Sequence, residues 1–486
     1  MTAFSFFWHD YETFGRVPRR DRPAQFAGIR TDAALNEIGD PVMLYCQPAP
    51  DSLPDPESCL LTGITPQTCL AQGVPEHQFA ATVLQALGEP GTVGVGYNTL
   101  RFDDEVTRHL FWRNLIDPYG REWQNDCGRW DILDVVRCAY ALRPEGIEWP
   151  THADGRPSFK LEHLAAANGL LHEAAHDALS DVRATIALAR LLRDRQPKLF
   201  DFCLKLRKKD AVWQEIGPFM GKDGDARRPL LHISGMYPAE RGCLGLVWPL
   251  AGHPSNKNEL IVWDLAHDPA ELLGLDVATL RQRLFSKADD LPEGVGRLPI
   301  KTVHINRSPV VIANLKTLQP AMARRWGLDV DAGLAHAGRA QANARALEAI
   351  PWRQVFERPA GGSPPDVDED LYGGFLNPAD RRLLDRLRGQ QGGPRTGQPP
   401  AFEDPRLGEL YFRYRARNFP ASLSPDEQAR WQQHCHDRLH QGAGGQTTLA
   451  QFFERIDTLN DSADERGQAI LGALYDYAEQ IAPDSH

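Results

Sequence analysis

Near its start the chain carries an almost unbroken apolar run, Phe4 to Trp8, continuing into His9-Asp10-Tyr11-Glu12-Thr13-Phe14. Such a run reads as a buried strand of an α/β sheet. The stretches Asp21–Arg30 and Val42–Cys46 predict strands pairing beside it. Thr65 and Pro66 form an N-cap and first helical position, so residues 60–66 turn into a helix. Val93–Asn98 predicts a short buried strand that delivers the chain to Arg101–Val106, where acidic residues open a helix running through Phe111 and Trp112. Leu161–Ala165 begins another helix. A further one follows Asp177, its apolar face carried by Ala184, Leu188 and Leu191. Residues 1–195 therefore alternate strand and helix, which is an α/β signature.

From residue 196 the texture changes. After the basic stretch Lys205, Arg207, Lys208 and Lys209, short β-rich runs at 230–233, 244–250, 260–265 and 300–305 are separated by Gly, Pro and Asn turns, predicting a β-rich domain over 196–354. Residues 355–369, rich in Pro and Gly, read as a linker. The segment 370–486 reads as helical, with a Gly/Gln/Pro loop at 389–400.

Composition narrows the class. A chain of 486 residues suggests two to four domains. No stretch reaches the ~20 apolar residues of a membrane span, and acidic residues right after Trp8 do not fit a signal peptide, so a cytoplasmic protein without membrane association is expected. The eight cysteines are scattered without a Cys-x-x-Cys pair, as reduced thiols would be. A net charge of −11 argues against non-specific coating of DNA or acidic membranes, while leaving room for a locally basic groove.

Candidate chemistry concentrates in carboxylates. Residues i and i+2 of a strand share a face, so Asp10 and Glu12 can reach one cation, and hard oxygen ligands suit Mg²⁺ or Mn²⁺. Asp103 and Asp104 stand at the predicted helix start, where the helix dipole favours acids without any function. They point about 100° apart, so spacing alone leaves open which of them joins a metal site. His176 and Asp181 complete the set. Two metals about 4 Å apart, held by several carboxylates beside a group that activates water, can clamp both oxygens of a phosphodiester displacement. Separately, residues 411–420 interleave Arg413, Arg415 and Arg417 with aromatic rings. That pattern suits single-stranded nucleic acid, and equally a helix with an aromatic core face and a solvated basic face.

The ordered carboxylates, with a His five residues before the last Asp, resemble the DEDD superfamily of 3′→5′ exonucleases. More specifically, His9–Phe14, Asp21–Phe26, Gly96–Asn98, Arg101–Arg108, Tyr140–Ile147 and Tyr414–Pro420 resemble the exonuclease I family across nearly the whole length, with departures at 389–400 and around 325–350. The resemblance implies an α/β ribonuclease-H-like exonuclease domain, an SH3-like β-rich domain and a C-terminal α-helical domain closing an arch over single-stranded DNA. It implies a processive Mg²⁺-dependent nuclease of the DEDDh type with two ions (Mn²⁺ as a substitute), releasing 5′-mononucleotides in DNA repair and recombination. By the same resemblance Asp10 bridges the metals, Glu12, Asp103 and Asp181 complete the ligands, and His176 is the general base. The stretch Leu61-Thr62-Gly63-Ile64, where a hydrophobic residue can wedge beside the terminal base, with Thr62 and Ile64 as its named contacts, then positions substrate together with Ser158, Lys160 and Glu12. The acidic C-terminal tail of single-stranded DNA-binding protein is an expected partner, with Arg143 as its anchor, and a monomer is the expected state. A non-catalytic single-strand-binding protein and an RNA-trimming exonuclease are the alternatives. The complete carboxylate set counts against the first.

Overall fold

The computed structural model describes residues 4–170, 177–217, 227–357, 365–389 and 400–482. The chain divides into two compact units, one of residues 1–128, 172–183 and 362–486 and one of residues 129–171 and 184–361.

In the first unit four strands, β1 (Ser5–Thr13), β2 (Pro23–Thr31), β3 (Val42–Tyr45) and β4 (Thr92–Gly96), stand in the order β3-β2-β1-β4. β1 pairs antiparallel with β2, placing Asp10 opposite Ala27 and Glu12 opposite Gln25, and parallel with β4. The apolar run makes β1 a central strand because both its faces are covered. Phe7, Tyr11 and Phe26 pack with Phe79 and Val83 of the helix Glu76–Gly88 and with Leu110 and Phe111 of the helix Asp103–Arg113. Asp10 and Glu12 are the two half-buried positions among the buried ones at the end of β1, on one face as the strand period requires. The Thr65 side chain accepts the Thr68 N–H and Pro66 opens the helix Pro66–Gln72, as the sequence predicts.

The C-terminal helices belong to this same unit. Phe452 of the helix Leu449–Asn460 and Leu471 and Leu474 of the helix Glu465–Ile481 share a core with Phe14, Cys59 and Ile64. The described C-terminal end of the expected linker, residues 365–369, is held in place. Asp366, Asp368 and Glu369 ion-pair with Arg438, Arg413, Arg417, Arg22 and Arg20, so this stretch is an anchored anionic hub rather than a spacer. All eight cysteines are unbridged. Among the described residues no helix is long and apolar enough to cross a membrane.

The second unit holds the strand β5 (Gly128–Asp131) through its last three residues and a five-stranded antiparallel sheet in the order β10-β6-β7-β8-β9. Its strands are β6 (Leu230–Ile233), β7 (Leu244–Gly252), β8 (Glu259–Asp264), β9 (Ile300–His304) and β10 (Val310–Ile312). Val247, Leu260, Val262 and Val303 close its core against Leu206, Val212 and Ile216 of the preceding helical segment. The exposed Lys205, Lys208 and Lys209 lie in that segment.

Candidate active site

Three carboxylates meet at the end of β1. One oxygen each of Asp10, Glu12 and Asp181 lies within 4.8 Å of the others. Asp181 stands at the start of the helix Ala178–Arg195, whose first turn is tied down by Asp177: its side chain accepts the Ser180 N–H at 3.1 Å and its carbonyl the Asp181 N–H at 3.0 Å. Asp103 approaches from the N-terminus of the helix Asp103–Arg113. Its Oδ1 accepts the backbone N–H of Tyr11, the residue between Asp10 and Glu12, at 3.1 Å. Asp104 turns the other way, into a buried pair with Arg121 Nη2 at 2.5 Å. The choice that spacing leaves open is thus made by Arg121, and Asp103 is the acid that faces the cluster.

Electrostatics identify what the cluster can hold. Burial, then Asp103, Glu12 and Asp181, push the Asp10 carboxyl well above its ordinary value. Burial, then Asp181, Asp103 and Asp177, push Glu12 up to about 8. Like charges gathered in a poorly solvated place favour protons unless a cation replaces them. An all-carboxylate, hard-oxygen donor set fits Mg²⁺ or Mn²⁺. In chelator the folded state holds a proton on Glu12 that the unfolded chain releases above 4.5. Stability should therefore fall as pH rises from about 4.5 through about 8. Mg²⁺ should raise the melting temperature little at pH 5 and most at pH 8, because protons compete with it for the same oxygens. Thermal scans with chelator or Mg²⁺ across this range check both slopes, and a pH-independent effect of Mg²⁺ would contradict them.

The remaining candidates fare unevenly. His176 lies outside the described residues. Thr62 Oγ1 donates to the Ser58 carbonyl and accepts the Ile64 N–H, shaping the turn at Gly63. Ile64 is corrected: its side chain is buried in the core shared with the C-terminal helices, and the apolar side chain that this loop presents is Leu61, 54% exposed. Ser158 is also buried, its hydroxyl 2.8 Å from His163 Nδ1, so of that pair Lys160 is the exposed one. Both belong to the second unit, as does Arg143. Arg143 closes the helix Ile132–Leu142, donates to the Thr317 carbonyl at 3.0 Å and lines a cavity of about 430 Å³ with Leu142, Lys198, Leu199, Phe202 and Ile312.

Arg413, Arg415 and Arg417 are corrected too. Arg413 and Arg415 are buried on the helix Arg406–Asn418, and Arg417, half-buried as a residue, covers its side chain. Arg413 pairs with Asp366 and Glu409 at 2.7 Å, Arg415 with Glu427 at 2.7 Å, and Arg417 with Asp51 at 2.7 Å and Asp368 at 2.5 Å. Guanidinium groups already saturated by carboxylates have nothing left to offer phosphates, so these arginines build the unit rather than hold DNA. Glu409 stands one helical turn from Arg413, but Asp51, Asp366 and Asp368 lie far away along the chain, where the sequence carries no signal for them.

Three family models match the chain: "Exonuclease" over residues 7–189, "Exonuclease I SH3-like domain" over 207–358 and "Exonuclease I C-terminal domain" over 365–481. Exodeoxyribonuclease I of Escherichia coli K12 is 44% identical over 480 residues, 98% of each protein. Its Haemophilus influenzae counterpart is 45% identical over 482 residues, 98% of this chain and 99% of that protein. Among solved structures, exonuclease I from Methylocaldum szegediense superposes with a TM-score of 0.90 at 47% identity, covering 98% of this chain and 99% of that one. E. coli exonuclease I in complex with a dA16 oligonucleotide does so with 0.90 at 43%, covering 99% and 100%. With these matches running nearly end to end, and four acids converging at the end of the first strand, the chain belongs to the exonuclease I family.

Proposed function

We propose that this chain is a processive exodeoxyribonuclease that degrades single-stranded DNA from its 3′ end, using two divalent cations, Mg²⁺ by preference, to release 5′-mononucleotides. The observation that carries the reading is the convergence of Asp10, Glu12 and Asp181 within 4.8 Å, in a chain whose relatives are exodeoxyribonucleases solved with oligonucleotides and, in one case, zinc. Another relative's structure is described as suggesting how processivity is achieved.

Asp10, Glu12 and Asp181 would hold the divalent cations, which would supply an activated water at neutral pH and neutralise charge on the phosphodiester. Asp103, oriented by the Tyr11 N–H, completes the ligand set. His176 takes the proton of the attacking water, a role that rests on its place five residues before Asp181. An imidazole is the side chain suited to accept a proton near neutral pH. Leu61 takes over from Ile64 as the apolar group available beside a terminal base, and the exposed Lys160, Lys205, Lys208 and Lys209 are the phosphate contacts. The deciding assay uses end-labelled single-stranded DNA, duplex DNA and RNA, each with Mg²⁺ and with chelator. Mg²⁺-dependent loss of the single-stranded DNA alone is expected, with mononucleotide products from the 3′ end. Preferential loss of RNA would turn the reading to an RNA-trimming exonuclease.

The partner reading concerns the cavity at Arg143. An apolar pocket rimmed by Arg143 and Lys198 suits a peptide that ends in a hydrophobic residue and a free carboxylate, which is the chemistry of the single-stranded DNA-binding protein tail. The enzyme works as a monomer and meets this tail in the cytoplasm, in repair and recombination. Arg143→Ala should weaken binding of a tail peptide at least about tenfold, the scale of one lost charge-assisted hydrogen bond. Equal binding by fluorescence anisotropy would remove Arg143 from the interface.

A further inference from the structure

A large cavity opens away from the carboxylate cluster. It has a volume of about 710 Å³ and lies wholly within the first unit. Its walls include Trp112, near the C-terminal end of the 11-residue helix that Asp103 begins. At 1.5 Å per residue that helix spans about 16 Å, so the cavity and the carboxylate cluster sit at opposite ends of one rod.

Its wall chemistry is specific. Tyr119 and Phe375 present tilted rings 5.9 Å apart, and Phe375 is 83% exposed at the rim, an unusual place for a large apolar ring without a ligand or partner. Three arginines line the same space. Arg121 spends Nη2 on Asp104 and leaves buried Nε and Nη1 without an acceptor. Arg388 spends Nη2 on Asp385 and leaves buried Nη1 without one. Arg381 is exposed and has no ion pair among the described residues. The lining acids are already engaged: Glu89 with Arg30 at 3.0 Å, Asp117 with the Tyr119 N–H at 2.9 Å, and Asp385 with Arg388 at 2.9 Å. What the cavity offers a ligand is therefore the exposed Arg381 and the partly exposed Arg388 beside an aromatic face, with Gln124 and Asn125 also in the wall.

We propose that this cavity binds a nucleoside 5′-monophosphate, its phosphate on Arg381 and Arg388 and its base against Tyr119 and Phe375. The volume lies within the roughly 300–1,000 Å³ of small-ligand sites and suits a single nucleotide. This inference rests on the proposed activity, because the ligand is then the enzyme's own product. Arg121 joins the two ends physically, touching the cavity on one side and holding Asp104, the neighbour of Asp103, on the other. Product bound here slows turnover without competing for the DNA site.

The test titrates full-length protein with dAMP in chelator by calorimetry. One site is expected, unchanged in Asp10→Asn. Binding should weaken at least about tenfold in the double variant Arg381→Ala/Arg388→Ala, and deoxyadenosine should bind at least about tenfold more weakly than dAMP, since both changes remove charge-assisted contacts. Phe375→Ala should weaken it severalfold. With Mg²⁺ and single-stranded DNA, added dAMP should lower the maximal rate of the wild type and not of the double variant. No binding to the wild type, equal binding by the double variant or by deoxyadenosine, loss of binding in Asp10→Asn, or identical inhibition of both enzymes would each overturn the proposal. The uninhibited cleavage rate is read in the same experiment: a wild type that cleaves DNA but fails these criteria sinks the cavity alone, whereas one that cleaves nothing sinks the activity.

Discussion

Asp10→Asn should cut the rate of single-stranded DNA cleavage by on the order of 10³-fold or more while leaving the protein folded. One carboxylate oxygen lies within 4.8 Å of ligand atoms of Glu12 and Asp181, so its loss removes a central ligand of the proposed cation pair. Several kcal/mol of transition-state stabilisation depend on that pair, and each 1.36 kcal/mol is tenfold in rate. Stability should move in the opposite direction. In the metal-free protein Asp10 is surrounded by Asp103, Glu12 and Asp181, all of which oppose its ionisation. A neutral isostere relieves that repulsion, so the melting temperature in chelator at pH 8 should be equal to or above that of wild type, and the gain from Mg²⁺ should shrink. Asp104→Asn is the informative contrast. It leaves the acids of the cluster in place but strips the buried Arg121 of its carboxylate. It should therefore lose stability first, by about 3–5 kcal/mol. If Asp10→Asn cleaves at the wild-type rate, or if Asp104→Asn abolishes Mg²⁺ stabilisation without destabilising the protein, the assignment of the two acids is wrong.

How much of this was legible depends on how far apart the cooperating residues lie. Asp10 and Glu12 are readable because a strand's two-residue period puts them on one face and the apolar run identifies the strand. Asp103 and Asp104 are not separable in the same way. Which one turns toward the metals depends on Arg121, 17 residues later, and on a backbone N–H of β1 that no side-chain pattern advertises. Ile64 and Leu61 are both apolar in the same loop, and only the packing of helices from residues 449–481 decides that the first is core and the second exposed. The alternating arginines and aromatics at 411–420 are the instructive failure. A string of charges says nothing about burial, and beside Glu409 and Glu427 the acids that neutralise them are Asp51 and, inside a stretch whose composition reads as a spacer, Asp366 and Asp368. The short strands β5 and β10, of four and three residues, are too brief to show a period at all.

That same network yields a stability effect as large as that of Asp104→Asn. Asp368 takes hydrogen bonds from Arg22, Arg413 and Arg417 and lies 3.8 Å from Arg438, with only 3% of its surface exposed. Burial alone would raise its pKa, but Arg417, Arg22 and Arg413 reverse the effect and hold it well below the usual carboxylate range. Asp51 is held down in the same manner by Arg417, His434 and Arg438 against the pull of burial. Asp368→Asn keeps the volume and removes the charge, leaving several buried guanidinium groups without enough anions. Breaking a buried pair from one side costs about 3–5 kcal/mol, whereas the more exposed pair of Arg455 with Glu57 should cost less than about 1 kcal/mol when Glu57→Gln is made. The double variant Asp368→Asn/Arg417→Met should recover part of the loss, because it removes one of the stranded cations and replaces it with an apolar side chain of similar length. Urea unfolding of the three variants at pH 7 distinguishes these outcomes. Since a depressed carboxyl contributes its stability above its ordinary pKa near 3.8 and loses it only as pH falls through the lower folded value, the difference between wild type and Asp368→Asn should persist down to about pH 4. A loss below about 1 kcal/mol for Asp368→Asn would mean that Asp51 and Asp366 suffice to neutralise the arginines, and that the hub is redundant rather than the clamp that fastens the C-terminal helices to the strand-bearing half of the unit.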